Sequence, residues 1–207
     1  MHFDLDDAET LRRLLIWRRD VRHFLSDSVD EARVQRLRDA MERSPSVGNS
    51  RPWRVIRVED PDLRAAVRAD FERCNAEAAE RYEDSRRAAY MSLKLAGLEA
   101  APVQLAIFTD TDPPEGHGLG RRTMPQTLHQ STAMAIHTLW LAARVENLGL
   151  GMVSILDPRA MERLFKAPTQ WEFAAYLCIG HAVFDDDTPL LQRRGWQASK
   201  HTGWQRR

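Results

Sequence analysis

"TLWLAARVENLGLGMVSILDP", residues 138–158, carries two periodicities in one short run. Its first half continues a longer stretch, STAMAIHTLWLAARVENLG (131–149), that is apolar at helical spacing and unusually poor in charge. Such a helix is expected to be central and buried, with Gly149 as its stop, because a residue past a helix end often takes a left-handed conformation that glycine tolerates. The second half, GMVSIL (151–156), reads as a strand, with Ser154 the one hydroxyl inside an apolar run. Asp157-Pro158 then supplies a cap and a first helical residue for a helix with Met161, Leu164 and Phe165 on one face. Helix, strand and helix in direct succession predict an α+β fold with interleaved layers.

The same alternation extends outward. Leu11, Leu14 and Leu15 keep helical spacing, and Ser28 with Glu31 makes a capping-box pattern ahead of Val34, Leu37 and Met41. RVIRVE (54–59) reads as a strand, followed by a helix opened by Asp60-Pro61 and running through Leu63, Val67, Phe71, Cys74 and Ala78. VQLAIFTD (103–110) and AAYLCIG (174–180) are strands, the latter apolar enough to be covered on both faces. Pro and Gly make DPPEGHGLGRR (112–122) a loop.

A chain of 207 residues suffices for one substantial core. Thirty basic and thirty acidic residues cancel, which argues against holding nucleic acid by bulk charge, so an anion site has to be local. Cys74 and Cys178 sit far apart in apolar contexts and read as reduced core thiols, with no metal site. No stretch has the roughly 18 apolar residues of a membrane span, and the first ten residues are acidic; the expected location is the cytoplasm. LQRRGWQASKHTGWQRR (191–207) holds basic and Trp residues without an acid, and reads either as a nucleic-acid or membrane-surface arm or, preferably, as a solvated extension or a segment wrapped on a partner subunit.

Four stretches carry chemistry. RRDVRHF (18–24) sets Arg18, Arg19 and Arg22 around Asp20; guanidinium forks suit phosphate, although a solvated helix end has the same composition. SPSVGNSRPW (44–53) is a helix-to-strand turn whose hydroxyls, Gly48 and Asn49 could approach a flat ligand. Ser154 either bonds neighbouring backbone or faces a ligand. MSLKLAGLEAAP (91–102) looks like a helical lid ahead of a strand.

Taken in order, RRDVR, PSVGNSRPW, KLAGLEAAP, TLWLAARVENLGLGMVSILDP and AYLCIGHA resemble the nitroreductase-like flavoproteins, and among them the branch that fragments flavin for the lower ligand of cobalamin. The resemblance implies a mixed sheet flanked by helices, residues 1–196 as the flavin-binding domain with 197–207 a basic tail, and a homodimer with FMN at the subunit interface. It implies oxygen-dependent fragmentation of reduced FMN, at once cofactor and substrate, to 5,6-dimethylbenzimidazole and erythrose 4-phosphate. Arg18, Arg19, Asp20, Val21, Arg22, Ser46, Leu95 and Ser154 would contact FMN, with Leu95 in the lid. Asp20 and Ser154 would be catalytic, Asp20 more easily as a base than an acid because nearby arginines favour its ionised form. Arg51 and Gln130 depart from the Gln and the aromatic residue expected at those positions. Without a glycine-rich dinucleotide fingerprint, NAD(P)H would act through a separate flavin reductase. The alternatives are an FMN-dependent NAD(P)H nitroreductase or quinone reductase, and a non-catalytic flavin- or nucleic-acid-binding protein.

Overall fold

The computed structural model describes residues 1–93 and 97–207. The elements in chain order are α1 (Leu5–Trp17), α2 (Glu31–Met41), β1 (Trp53–Arg57), α3 (Pro61–Ala79), α4 (Asp84–Met91), β2 (Val103–Asp110), α5 (Thr127–Val145), β3 (Gly149–Val153), α6 (Pro158–Leu164), β4 (Trp171–Gly180) and α7 (Leu190–Arg193). The strands form one sheet in the order β1-β2-β4-β3, each pair antiparallel, with a bulge between Ile107 and Phe108.

Alternation along the two central strands builds two cores. Val103, Leu105 and Ile107 of β2 and Ala175, Leu177 and Ile179 of β4 face a layer made by α2 and α5. Ala106, Phe108, Tyr176 and Cys178 face the opposite way, onto Val67 and Phe71 of α3 and Met161 of α6. Both faces are therefore covered, which is why β2 is buried at every position and carries no polar-out residues.

Local chemistry corrects three expectations. The cap of α2 is Asp30, whose carboxylate accepts from the Ala32 amide at 2.9 Å, and not Ser28. The chain leaves α5 at Asn147, which takes the left-handed φ of +54°, so Gly149 is the first residue of β3 and not a helix stop. Nor is α5 wholly buried. Leu128, Thr132, Ala135, Ile136, Leu139 and Ala143 point inward, while Met134 and Val145 keep 41% and 59% of their surface exposed. The inward stripe has a 3.6-residue period and includes a buried polar pair, Thr109 to Thr132, at 2.9 Å.

Gly149 and Gly151 serve close approach. Asp20 and Val21 lie along the outer edge of β3, and Phe24 beside the chain just past β4: Asp20 forms a parallel bridge with Leu150, the Val21 amide donates to the Leu150 carbonyl at 3.0 Å, and Phe24 pairs antiparallel with Ala182. A Cβ built on Gly151 would lie 2.1 Å from the Val21 carbonyl oxygen, and one on Gly149 would lie 2.8 Å from a Val21 methyl. The segment therefore requires glycine at both positions. Gly151→Ala should push residues 20–24 off the sheet and destabilise the protein by about 3 kcal/mol, the upper range for overpacking. Denaturant unfolding checks this, with Gly203→Ala, where no atom lies within 4 Å, as the silent control.

Candidate functional site

Docking residues 18–24 on β3 arranges the arginine-rich segment. Asp20 Oδ1 accepts from the Met152 amide at 2.9 Å, and its other oxygen is ion-paired with Arg22. Its side chain keeps 30% of its surface accessible, yet it lies deep enough among its neighbours for burial to be the largest influence. Burial raises the carboxyl above the usual carboxylate range against the opposing pulls of Arg22, the Met152 amide and Arg18. The arginines favour the ionised carboxylate, as expected, but burial outweighs their pull.

The three arginines differ. Arg19 donates from Nε and Nη2 to the Asp187 carbonyl at 2.9 and 2.6 Å and from Nη1 to the Arg18 carbonyl at 3.2 Å, so backbone acceptors engage all three nitrogens. Arg18 lies over the Trp140 ring, 4.9 Å from its centroid, while the Trp140 indole donates to the Arg19 carbonyl at 3.1 Å. Arg18 Nε is buried without a hydrogen-bond partner, and burial lowers the guanidinium below its ordinary range. Arg18, Arg19, Arg22, Arg144 and Arg193 line one cavity together with Asp20, Asp185 and Asp186. Asp185 pairs with Arg144 and Asp186 with Arg193.

Ser154 lies one residue past the end of β3, not within it, and is exposed. Met152, whose amide holds Asp20, is also exposed, while Gly151 before it and Val153 after it are buried. Ser154 thus follows Asp20's anchor by two residues on the accessible side of the chain. Beneath them Cys178 of β4 shares a small crevice with Asp20, Arg22 and Gly151; burial, then the Asp20 charge, pushes its thiol up to about 12. Both cysteines are free thiols.

Ser46 belongs to a different part of the chain. Its hydroxyl accepts from the Arg51 amide at 3.0 Å, closing a turn in which Gly48, Asn49 and Arg51 all have positive φ. The Val47 amide donates to Ser131 Oγ at 3.0 Å, so the turn sits at the N-terminal part of α5, whereas Arg18 and Arg19 meet that helix at Trp140. Nine helical residues separate these contacts, about 14 Å at 1.5 Å per residue. The turn contains two further buried hydroxyls without partners, Ser44 Oγ and Ser50 Oγ. Arg51, where Gln was expected, reaches Glu42 at 3.6 Å, and Gln130 is exposed on α5. Leu95 lies outside the described residues.

The sequence and the fold match a known class. The chain belongs to the nitroreductase family, whose sequence profile matches residues 15–181. Within it, the chain is 59% identical over 207 residues, the full length of both proteins, to the 5,6-dimethylbenzimidazole synthase of Rhodobacter capsulatus. It is 49% identical over 198 residues to the 5,6-dimethylbenzimidazole synthase of Rhodospirillum rubrum, covering 96% of this chain and 94% of that one. In fold it is similar to oxidized iodotyrosine deiodinase bound to FMN and 3-iodo-L-tyrosine, with a TM-score of 0.73 at 22% identity over 95% and 97% of the two chains.

A carboxyl whose folded value is raised costs stability once ionised. Below the unfolded value of about 3.9 both states are protonated and no cost exists; it grows as pH rises from there through the folded value and persists above it. Asp20→Asn abolishes that titration. The stability of Asp20→Asn relative to wild type should therefore increase between pH 4 and pH 7, as measured by denaturant unfolding of the FMN-free proteins at several pH values.

Proposed function

We propose that this protein fragments reduced FMN with dioxygen to 5,6-dimethylbenzimidazole, the lower ligand of cobalamin, with release of erythrose 4-phosphate. The observation that carries the reading is the 59% identity to a 5,6-dimethylbenzimidazole synthase across every residue of both chains. Reduced FMN supplies the ring that becomes the product and the electrons that reduce dioxygen. What falls to the protein is orientation, exclusion of water and proton movement.

Arg18 and Arg22 are the residues we assign to the phosphate, Arg18 because its Nε has no acceptor among the described residues. Arg19, with its donors on backbone carbonyls, and Val21, packed on Gly149, hold the segment in place. Ser46 and Leu95 are assigned to flavin contact. Asp20 is the proton carrier: a carboxyl with raised affinity, held by the Met152 amide, takes a proton and returns it more readily near neutral pH than an ordinary carboxylate. Ser154 donates a hydrogen bond beside it.

The site is composite. Some 14 Å along α5 separates the Ser46 turn from Arg18, and α5 exposes Met134 and Val145 while α1 exposes Leu11, Leu15 and Trp17. A two-fold homodimer covering these faces would set the turn of one copy against the arginine segment of the other. Residues 1–196 form the flavin-binding domain in this reading, and 197–207 are a tail available to the second copy. A separate flavin reductase would supply the reduced flavin. Among the described residues no helix is long and apolar enough to cross a membrane.

Arg18→Met should weaken FMN binding roughly ten-fold more than riboflavin binding, because only FMN brings a phosphate to the lost guanidinium. Arg19→Ala should weaken both alike, and fluorescence titration of the two flavins separates these cases. Asp20→Asn tests the chemistry: it should bind FMN and still permit reoxidation by air, but 5,6-dimethylbenzimidazole formed per bound FMN in one aerobic turnover should fall about 100-fold. Near-normal product from the loaded variant would reduce Asp20 to a partner of Arg22 and end the assignment.

A further inference from the structure

Asp70, on α3, belongs to none of the stretches that the sequence singles out, yet it sets the far end of the turn that carries Ser154. Its side chain is 10% exposed. Asp70 Oδ2 accepts from the Asp157 amide at 2.8 Å, and its other oxygen is ion-paired with Arg73. The Arg73 guanidinium also lies 3.9 Å from the Asp157 carboxylate, which caps α6 by accepting from the Arg159 amide at 2.9 Å. At the near end of the turn Val153 pairs with Tyr176 of β4. Ser154, Ile155 and Leu156 thus span the gap between a sheet ladder and a buried carboxylate.

The rest of the contact between α3 and α6 is apolar, made by Val67, Phe71 and Met161. Packing there does not call for a charge, and sinking one into such an interface is unfavourable unless its donors are in place. What the carboxylate adds is a charge-assisted hydrogen bond to one backbone amide, three residues from the exposed serine. We propose that Asp70 is a positioning residue for Ser154, fixing the path of residues 154–157 and so the place of the hydroxyl two residues beyond Met152, whose amide holds Asp20. The inference rests on the reading of Ser154 as a hydrogen-bond donor in the reaction. A displacement of about 1 Å at a reacting centre is enough to cost an order of magnitude or more in rate.

The test is a double-mutant cycle with a second readout on the flavin-free protein. In a single aerobic turnover, Asp70→Ala should slow product formation about ten-fold, with no further loss when Asp70→Ala is added to Ser154→Ala. Asp70→Asn keeps one oxygen able to accept from the Asp157 amide and should recover to within about three-fold of wild type. Without FMN, the Asp157 amide should exchange with solvent slowly in wild type and at least about ten-fold faster in Asp70→Ala. Losses that multiply in the double variant would overturn the inference while leaving the role of Ser154 intact. Wild-type turnover by Ser154→Ala would overturn the reading beneath it. Should Asp70→Ala not fold, Asp70→Thr takes its place in the cycle, and rapid exchange of the Asp157 amide in wild type is sufficient on its own to overturn the inference.

Discussion

The site depends on the absence of two side chains. Gly149 and Gly151 leave the edge of β3 bare, and residues 20–24 fill that space with backbone, Val21 occupying the volume that two Cβ atoms would need. Hydrogen bonds from Val21 to Leu150, from Leu25 to His181 and from Val183 to His23 then fix the register. Because side chains alternate along an extended segment, a slip of one residue would exchange Asp20 for Val21 and invert the whole group. The position of the carboxylate is thus decided by steric fit against the glycines of β3.

Charge in the arginine segment is divided among tasks. The sequence crowds Arg18, Arg19 and Arg22 around one acid, but the loop with Asp185, Asp186 and Asp187 draws Arg144, Arg193 and Arg19 into contacts of its own. Arg22 is ion-paired with Asp20, and Arg18 rests on Trp140 with a donor to spare. A protein of zero formal net charge thereby concentrates cationic side chains in one cavity.

Much of this architecture could be read from residue patterns. The apolar run at 103–110 coincides with β2, and Asp60-Pro61 and Asp157-Pro158 open α3 and α6 as their capping chemistry requires. The family and the arginine segment were legible from the motifs. Features set by tertiary contact were not. Asp30 outcompetes Ser28 as a cap once the chain's path is fixed, and α5 ends at Val145 with Asn147 turning the chain, which leaves Gly149 to fit against Val21. Ser154 escapes the strand because the ladder with β4 ends at Val153. The proton affinity of Asp20 follows from burial, which local sequence does not encode. Asp70 gave no signal at all, since an acid on a charged helix looks like any solvated residue until its depth is known.

Cys178 sits behind the proposed proton carrier in a protein that would meet dioxygen at every turnover. Thiolates, not thiols, are the species that attack partially reduced oxygen, and the ladder from sulfenic to sulfonic acid begins with that ionisation. Full burial and the neighbouring Asp20 hold the sulfur in its protonated form, with a value pushed up to about 12. The environment that tunes the carboxyl therefore also passivates the sulfur next to it, and oxidative wear should fall first on accessible methionines such as Met152 instead.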